Sequence, residues 1–541
     1  MTEYLKQILS DALTKFELDE TPEIQLEAPK DPTHGDASTN LAMTLARPLR
    51  NNPRAIATQI IEALEYDKRK ISSVEIAGPG FINFRYAEDY LYDELASIIE
   101  DGKDFGKSDS NSGKKVQIEF VSANPTGPLT VGHGRNAVLG DTVARLMEWT
   151  GAELDREYYF NNAGRQMRVL GQSVQARYLE ILGKDSEFPE GGYEGEYIKD
   201  IAQELVDEKG DALVDSDWTP FKEKAEQAIF ADIDATLKRM NIHMDNHFNE
   251  HDLYENGDIE SVVSRLREKG LVYDADGATW FKTTEFGKEK DTVLIKSTGE
   301  PTYRLPDIAY HANKLDRGYD VCIDVFGADH IATYPDVLSG ISALGYDKEK
   351  VDVVIYQFVT IVKDGKPFKM STRKANFVTL DELMDEVGAD VTRFFFLMRS
   401  PNTHLEFDIA QAKEAGEKNP VFYLQYAHAR ICSILRKAEE EYSFEKTVQL
   451  NLLKEDAETA LIKTLFKFPK AIQSAAEARE PHRLINYLND VASAFTTFYH
   501  DCRIIGVDAD LAQARIALAK TTAQTLKNGL TILGITAPER M

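Results

Sequence analysis

Two short segments of this chain carry residue types that could act on an anion. The first is Ala123-Asn124-Pro125-Thr126-Gly127-Pro128-Leu129-Thr130-Val131-Gly132-His133. Its glycines and prolines shape a tight turn, Gly132 leaves room for a nucleotide against the main chain, and His133 opens a helical pattern. The amides at a helix N-terminus favour phosphate or a transition-state anion. On its own the segment reads as a loop with a capping histidine. The second is Lys369-Met370-Ser371-Thr372-Arg373-Lys374, behind an apolar run and a Lys363-Asp364-Gly365-Lys366 turn. Cations beside such a turn can close over a pyrophosphate leaving group and stabilise its developing charge. Alone, this too is the pattern of a basic surface loop. The two together, each at the end of a strand pattern, make a stronger case than either. A third glycine-lysine run, Gly102 to Ser108, is one residue short of a phosphate-cradling P-loop and follows a helix pattern, which excludes that chemistry.

The elements that must position these segments are legible from periodicity. VQIEFVSANP is an apolar strand pattern, the glycine-rich turn follows, and AVLGDTVARLMEWTG (Ala137 to Gly151) has helical spacing with a glycine stop. LDREYYFNN is the next strand, completing a βαβ unit. Strand patterns return at TVLIK, DVCIDVFGA and DVVIYQFVTIV, alternating with helices, and an acidic helical insertion lies around 184–250. The expected architecture is an α/β catalytic domain with a Rossmann-like parallel sheet over 111–414. Before it, residues 1–110 form an α+β N-terminal domain, ending in the polar linker Asp101 to Lys115. After it, 415–541 form an all-α helical bundle.

Bulk properties set limits. The chain has 541 residues, too many for one ordinary core. No apolar run approaches the roughly 20 residues of a membrane span. The start, MTEYLKQILSDALTKF, is amphipathic and acidic early, unlike a targeting peptide. Cys322, Cys432 and Cys502 are far apart, without the spacing of a disulfide framework or a zinc site, so no bound structural metal is expected. These features point to a cytoplasmic protein with no membrane partner. Net charge is −27, from 63 basic and 90 acidic residues, whereas nucleic-acid binders usually carry a basic footprint. Whole-chain charge governs solubility and does not exclude a local basic patch. Much of the acid falls in stretches such as Lys184 to Asp217 that read as solvated surface.

The paired segments resemble the "HIGH" and "KMSKS" signatures of class I aminoacyl-tRNA synthetases. SANPTGPLTVGHGRNAVLGD, YFNNAGRQM, PTYRLPDIAYH, KMSTRKANFVTLDEL, NPVFYLQYAHARI and the terminal APERM narrow the resemblance to the arginine-specific family, and it spans essentially the whole chain. Two departures stand out. Thr130 occupies the place of the first HIGH histidine, and the second signature runs KMSTRKA. The resemblance implies Thr130, Gly132, His133, Lys369, Met370, Ser371 and either Arg373 or Lys374 as catalytic residues. It implies residues 123–129 and Val131 as the ATP-binding turn.

It further implies an arginine site of Glu119, Ser122, Asn124, Tyr303, Asp307 and His330. A guanidinium is planar and always charged, so carboxylates aimed at its donor fork suit it. Read from the residues alone, Glu119 is equally a surface acid at a strand end, Asp307 an N-cap after Pro306, and His330 a structural hydrogen bonder. The i, i+4 spacing puts Tyr303 and Asp307 on one helical face. The implied substrates are L-arginine, ATP with Mg2+ and tRNA(Arg), with no DNA partner, and the implied state is a monomer. Asn419, Tyr423, Tyr426 and Arg430 recur at helical spacing and suit stacking on splayed bases. They suit a helical core stripe equally. By the same resemblance Arg50, Arg54, Lys68 and Arg69 are candidate phosphate contacts in the N-terminal domain, although the residues alone read more readily as a solvated face. Other class I synthetases, a noncatalytic tRNA-binding relative and a nucleotidyltransferase share parts of this pattern.

Overall fold

The computed structural model describes residues 1–541 except 19, 30, 364, 368–377, 415, 417, 418 and 443–447, and only the backbone of residue 32. The chain divides into two compact units. One comprises 1–105, 431–467 and 493–525, and the other 106–430, 468–492 and 526–541.

In the first unit, β1 (Ala37–Thr39), β2 (Ile71–Ala77) and β3 (Phe81–Tyr86) form an antiparallel sheet in the order β1-β3-β2. Helices Thr2–Leu13 and Pro53–Ala63 bury Leu5, Leu9, Ile56 and Ile60 in the same core as Ile71, Ile82 and Phe84. Asn52 starts the second helix by accepting the Arg54 N–H at 2.9 Å, with Pro53 in the first turn where its missing N–H costs nothing. The later segments are helical, and Arg515 reaches buried Glu458 at 2.6 Å.

The second unit holds β4 (Lys115–Glu119), β5 (Glu153–Phe160), β6 (Asn246–Asn249), β7 (Val272–Ala275), β8 (Ala278–Phe281), β9 (Thr292–Ile295), β10 (Val321–Gly327), β11 (Val351–Tyr356), β12 (Val359–Lys363), β13 (Lys366–Pro367) and β14 (Leu405–Asp408). Five strands form one parallel sheet, β11-β10-β4-β5-β6. Chain order runs outward from β4 in one direction to β5 and β6, and in the other to β10 and β11. A crevice therefore opens beside the C-terminal end of β4, the place where open α/β sheets bind ligands. The helix Val131–Trp149 crosses this end. A Cβ on Gly140 would stand 2.4 Å from the Phe120 Cβ, so only glycine lets the helix lie this close to the chain leaving β4. Helices Glu196–Lys209 and Thr219–Arg239 fill the acidic insertion; the first buries Ile198, Ile201, Ala202 and Leu205 and leaves most of its acids exposed. Two small sheets complete the unit, β7-β8-β9 and β13-β12-β14. Among the described residues no helix is long and apolar enough to cross a membrane.

Candidate active site

The first signature turn lies at the switch point. Ala123, Pro125, Leu129 and Val131 are buried and anchor it, while Thr126, Gly127 and Pro128 are half-buried. The Tyr158 hydroxyl donates to the Ala123 carbonyl and the Tyr197 hydroxyl to that of Thr126, each at 2.7 Å. Asn124 is exposed, donating to Gln166 Oε1 at 3.2 Å and accepting the Asn161 N–H at 3.0 Å.

Thr130 is the N-cap of the helix Val131–Trp149, and its N–H donates to His133 Nδ1 at 3.2 Å. The capping role of His133 and a catalytic one are therefore compatible. With Nδ1 accepting, the neutral ring carries its proton on Nε2, which leaves a donor for a ligand. Burial depresses the His133 pKa and keeps the ring neutral. A Cβ on Gly132 would meet only Thr130 Oγ1, at 3.7 Å, so packing within the protein does not demand glycine there.

Lys369, Met370, Ser371, Arg373 and Lys374 lie outside the described residues, but the chain on either side is placed. Before them, β12 pairs with β13 and β14. After them, Thr379 caps the helix Leu380–Val387 in a box with Glu382. The Leu380 N–H donates to the Leu129 carbonyl at 2.8 Å, and Thr379 bridges Thr130. The exit of the second signature is thus fastened to the first.

The acids predicted for arginine lie over the sheet in an arrangement that local sequence does not reveal. Register sets Asp324 on β10 beside Glu119 on β4, and Glu119 beside Glu157 on β5. All three are buried, so Glu119 is not a surface acid. Buried carboxylates in a row require cations, since an unpaired buried charge is costly. The helix Arg304–Asp316 and the residue after it supply them. Lys314 Nζ is 2.6 Å from both Glu119 Oε2 and Asp324 Oδ1, and His311 Nε2 is 2.7 Å from Asp324 Oδ2. Arg317 grips Glu157 with NH1 and NH2 at 2.5 and 2.7 Å, and the Tyr310 hydroxyl donates to Glu157 at 2.6 Å. Ser122 Oγ donates to Glu119 Oε1 at 2.9 Å. Burial raises the pKa of Glu119 against the opposing pull of Lys314. Burial acts the same way on Asp324, but Lys314 and His311 outweigh it and hold Asp324 well below the usual carboxylate range.

Asp307 differs from these acids. It sits inside the helix, four residues past the N-cap Tyr303, and is not the cap itself. Its carboxylate makes no hydrogen bond or ion pair among the described residues, and it lines a small pocket with His311, Asp324, Phe326 and His330. Burial pushes its pKa up to about 7; His311 works against the rise, and Glu119 and Glu250 add to it. The unneutralised acid here is a place for an incoming cation. His330 stacks on Phe326, with ring centroids 4.9 Å apart, at the cavity edge. Tyr303 has helical dihedrals and its carbonyl accepts the Asp307 N–H at 3.3 Å, but its side chain is 85% exposed and does not line this pocket. Lys314, His311, Asp324, Glu157 and Arg317 were not foreseen. Their one local signal is Asp307, His311 and Lys314 at i, i+4 and i+7, a charged stripe facing the sheet. Among the described residues no cluster of His, Cys, Asp or Glu could hold a metal ion.

On the helix Pro420–Glu441, Asn419 separates from the other three predicted residues. It is buried, donates to the Ala412 carbonyl at 3.0 Å and accepts the Val421 N–H at 3.3 Å, so it acts as a helix start. Tyr426 is 43% exposed with the Arg430 guanidinium 5.3 Å over its ring, and Tyr423 is half-buried.

Comparison with known proteins agrees with this geometry. Residues 94–394 match the model of the class I (R) tRNA synthetase catalytic domain, 3–86 that of the arginyl tRNA synthetase N-terminal domain, and 424–541 that of the DALR anticodon binding domain. The chain is 57% identical to the arginine–tRNA ligase of Salinibacter ruber over 539 residues, covering 96% of each chain. It is 54% identical to that of Desulfotalea psychrophila, covering 95% of this chain and 94% of that protein. In structure it superposes on arginyl-tRNA synthetase of Thermus thermophilus with a TM-score of 0.78 over the full length of both, at 22% identity, a likeness of fold. With a signature turn at the switch-point crevice and relatives matching along nearly its whole length, this chain belongs to the arginyl-tRNA synthetase family of class I.

Proposed function

We propose that this chain joins L-arginine to the 3′-terminal adenosine of tRNA(Arg) at the expense of ATP, through an arginyl-adenylate, releasing AMP and pyrophosphate. The observation that carries this reading is Asp307, a carboxylate without a protein partner among the described residues, whereas Glu119, Asp324 and Glu157 are paired with Lys314, His311 and Arg317. Asp307 and the remaining lone pairs of Glu119 accept the guanidinium, and His330 closes the cavity edge. A neutral isostere leaves Asp307 unpaired, so discrimination of roughly 10⁴-fold is within reach without editing.

Arginine's carboxylate attacks the α-phosphorus of Mg·ATP. His133 donates from Nε2 to a phosphate oxygen, and the amides of Val131 and Gly132 face the same anion, that of His133 being held by the Thr130 side chain. Thr130 acts through the cap that orients His133. Lys369, with Arg373 or Lys374, takes the charge of the departing pyrophosphate. The 2′-hydroxyl of the terminal adenosine then attacks the acyl carbon and AMP leaves. Positioning and charge stabilisation carry most of the rate, as in other phosphoryl chemistry. Residues 1–110 meet the tRNA elbow, 111–414 do the chemistry, and 415–541 read the anticodon with Tyr423, Tyr426 and Arg430. The enzyme works in the cytoplasm as a monomer.

The test is transfer of labelled arginine to a tRNA(Arg) transcript. Arginine charged in an ATP-dependent reaction supports the proposal. Charging of a different amino acid, or none with folded protein, overturns it.

A further inference from the structure

The chain leaving β4 passes through a conformation that L-residues avoid. Val121 has φ +67° and Ser122 φ +43°. Left-handed backbone is a genuine outlier for a β-branched residue, and such strain persists only where the surroundings over-determine it. Here the turn closes on itself through the Ser122 N–H to the Phe120 carbonyl at 3.0 Å, and one side chain holds the Val121 N–H. Asn136 lies on the helix Val131–Trp149, one turn past His133, and is buried. Its Oδ1 accepts the Val121 N–H at 2.6 Å, and its Nδ2 donates to the Val325 carbonyl of β10 at 2.7 Å. One amide therefore ties together the ends of the two central strands that flank the switch point.

The consequence falls on Ser122. Held in the left-handed turn, its hydroxyl reaches back to Glu119 Oε1 at 2.9 Å and accepts the Tyr159 N–H at 3.3 Å. Glu119 is then fixed on one oxygen by Ser122 and on the other by Lys314. Were the turn to relax to negative φ, the Ser122 side chain would swing away and Glu119 would lose one of its two supports.

We propose that Asn136 is a positioning residue for arginine recognition: it holds the strained Val121–Ser122 turn, and the turn holds Glu119. The proposal rests on the arginine reading of the site. It separates the two halves of the active site energetically, because Asn136 supports the arginine side and makes no side-chain hydrogen bond to the Thr130–His133 cap.

Arginine-dependent ATP–pyrophosphate exchange in the presence of tRNA(Arg), with KM measured for each substrate, tests it. Asn136→Ala raises KM for arginine by about tenfold or more, the scale of one disordered charge-assisted hydrogen bond. KM for ATP stays within about twofold, because the ATP half keeps its supports. Glycine occupies the left-handed region without strain, so V121G/N136A keeps the turn in more molecules and recovers at least about threefold of the arginine KM relative to N136A. A residue that merely stabilised the fold would lower the thermal midpoint without this split or this rescue. Should N136A not fold, the double variant decides: an arginine KM above wild type with ATP unchanged supports the proposal, and two unchanged KM values overturn it. An arginine KM within about twofold of wild type in folded N136A, or no recovery in the double variant, also overturns it. Wild-type protein without arginine-dependent exchange would refute the functional reading itself, a different outcome.

Discussion

Asp307→Asn isolates the group proposed to receive the arginine guanidinium. The substitution keeps shape and removes charge, so the guanidinium keeps only a neutral carbonyl acceptor and meets an NH2 donor in place of the second oxygen. Two charge-assisted hydrogen bonds at roughly 1.5–3 kcal/mol each amount to about 3–6 kcal/mol. At about 1.4 kcal/mol per factor of ten, the arginine KM rises between roughly 10² and 10⁴-fold. The pH dependence adds a second signature. Burial, opposed by His311 and reinforced by Glu119 and Glu250, sets the ligand-free Asp307 pKa at about 7. The guanidinium stays charged throughout, and it needs the carboxylate. Below that pKa a proton must leave on binding, so the wild-type arginine KM rises about tenfold for each unit that pH falls below about 7, and levels off above it. Asp307→Asn abolishes this slope. The assay is arginine-dependent exchange with tRNA from about pH 6 to 8, with KM for ATP as the internal control. An Asp307→Asn enzyme whose arginine KM stays within about threefold of wild type, or a wild-type KM flat across that range, would refute the reasoning.

Other consequences follow from the same geometry. His133→Ala lowers the exchange turnover by about 10²–10³-fold, the usual cost of one oxyanion donor, while tRNA affinity in a filter-binding assay is unchanged; equal loss in both would remove His133 from the chemistry. Lys314→Met strands Glu119 and Asp324 in the core and costs about 3–5 kcal/mol in urea unfolding; a loss under about 1 kcal/mol would show that the acids do not depend on it. For the ligand-free protein, Asp307 titrates near 3.8 unfolded and about 7 folded, so its stabilising contribution is full below the first value and gone above the second. The thermal midpoint contribution of Asp307 accordingly declines between about pH 4 and 7 and levels off above, and Asp307→Asn removes that part of the slope; an equal slope in both proteins would contradict the shift. Tyr426→Ala weakens tRNA binding by about 1–3 kcal/mol if one anticodon base stacks there, and unchanged affinity would assign the Tyr426–Arg430 pair to the surface alone.

Local signals carried the sequence reading well where chemistry and periodicity coincide. The strand, turn and helix around His133 lie where the apolar run, the glycines and the 3.6-residue spacing put them, and β5, β10 and β11 follow the same rule. The hairpin of β7 and β8 escaped notice although Asp276 and Gly277, with φ of +53° and +76°, are the residues a two-residue turn demands. Its strands are only four residues long, too short for alternation to stand out. Periodicity also misleads at helix ends. Asn419 fits the spacing of the face assigned to it, yet it stands before its helix, where its side chain answers to cap geometry. The charged row was illegible for a different reason. Glu119 meets Lys314 across 195 residues, and only the register of parallel strands sets Asp324 and Glu157 beside it. From one residue alone, a buried ligand for arginine and a solvated acid look the same.

The central claim, that the open acid Asp307 selects arginine for activation, is tested most directly by ATP–pyrophosphate exchange across a panel of amino acids, with and without tRNA(Arg). The account predicts that arginine alone supports exchange. The family resemblance adds that exchange appears only when tRNA is present. Exchange driven by another amino acid, or none with folded protein and tRNA, would contradict the account; arginine-driven exchange without tRNA would leave the site assignment standing and remove only the coupling.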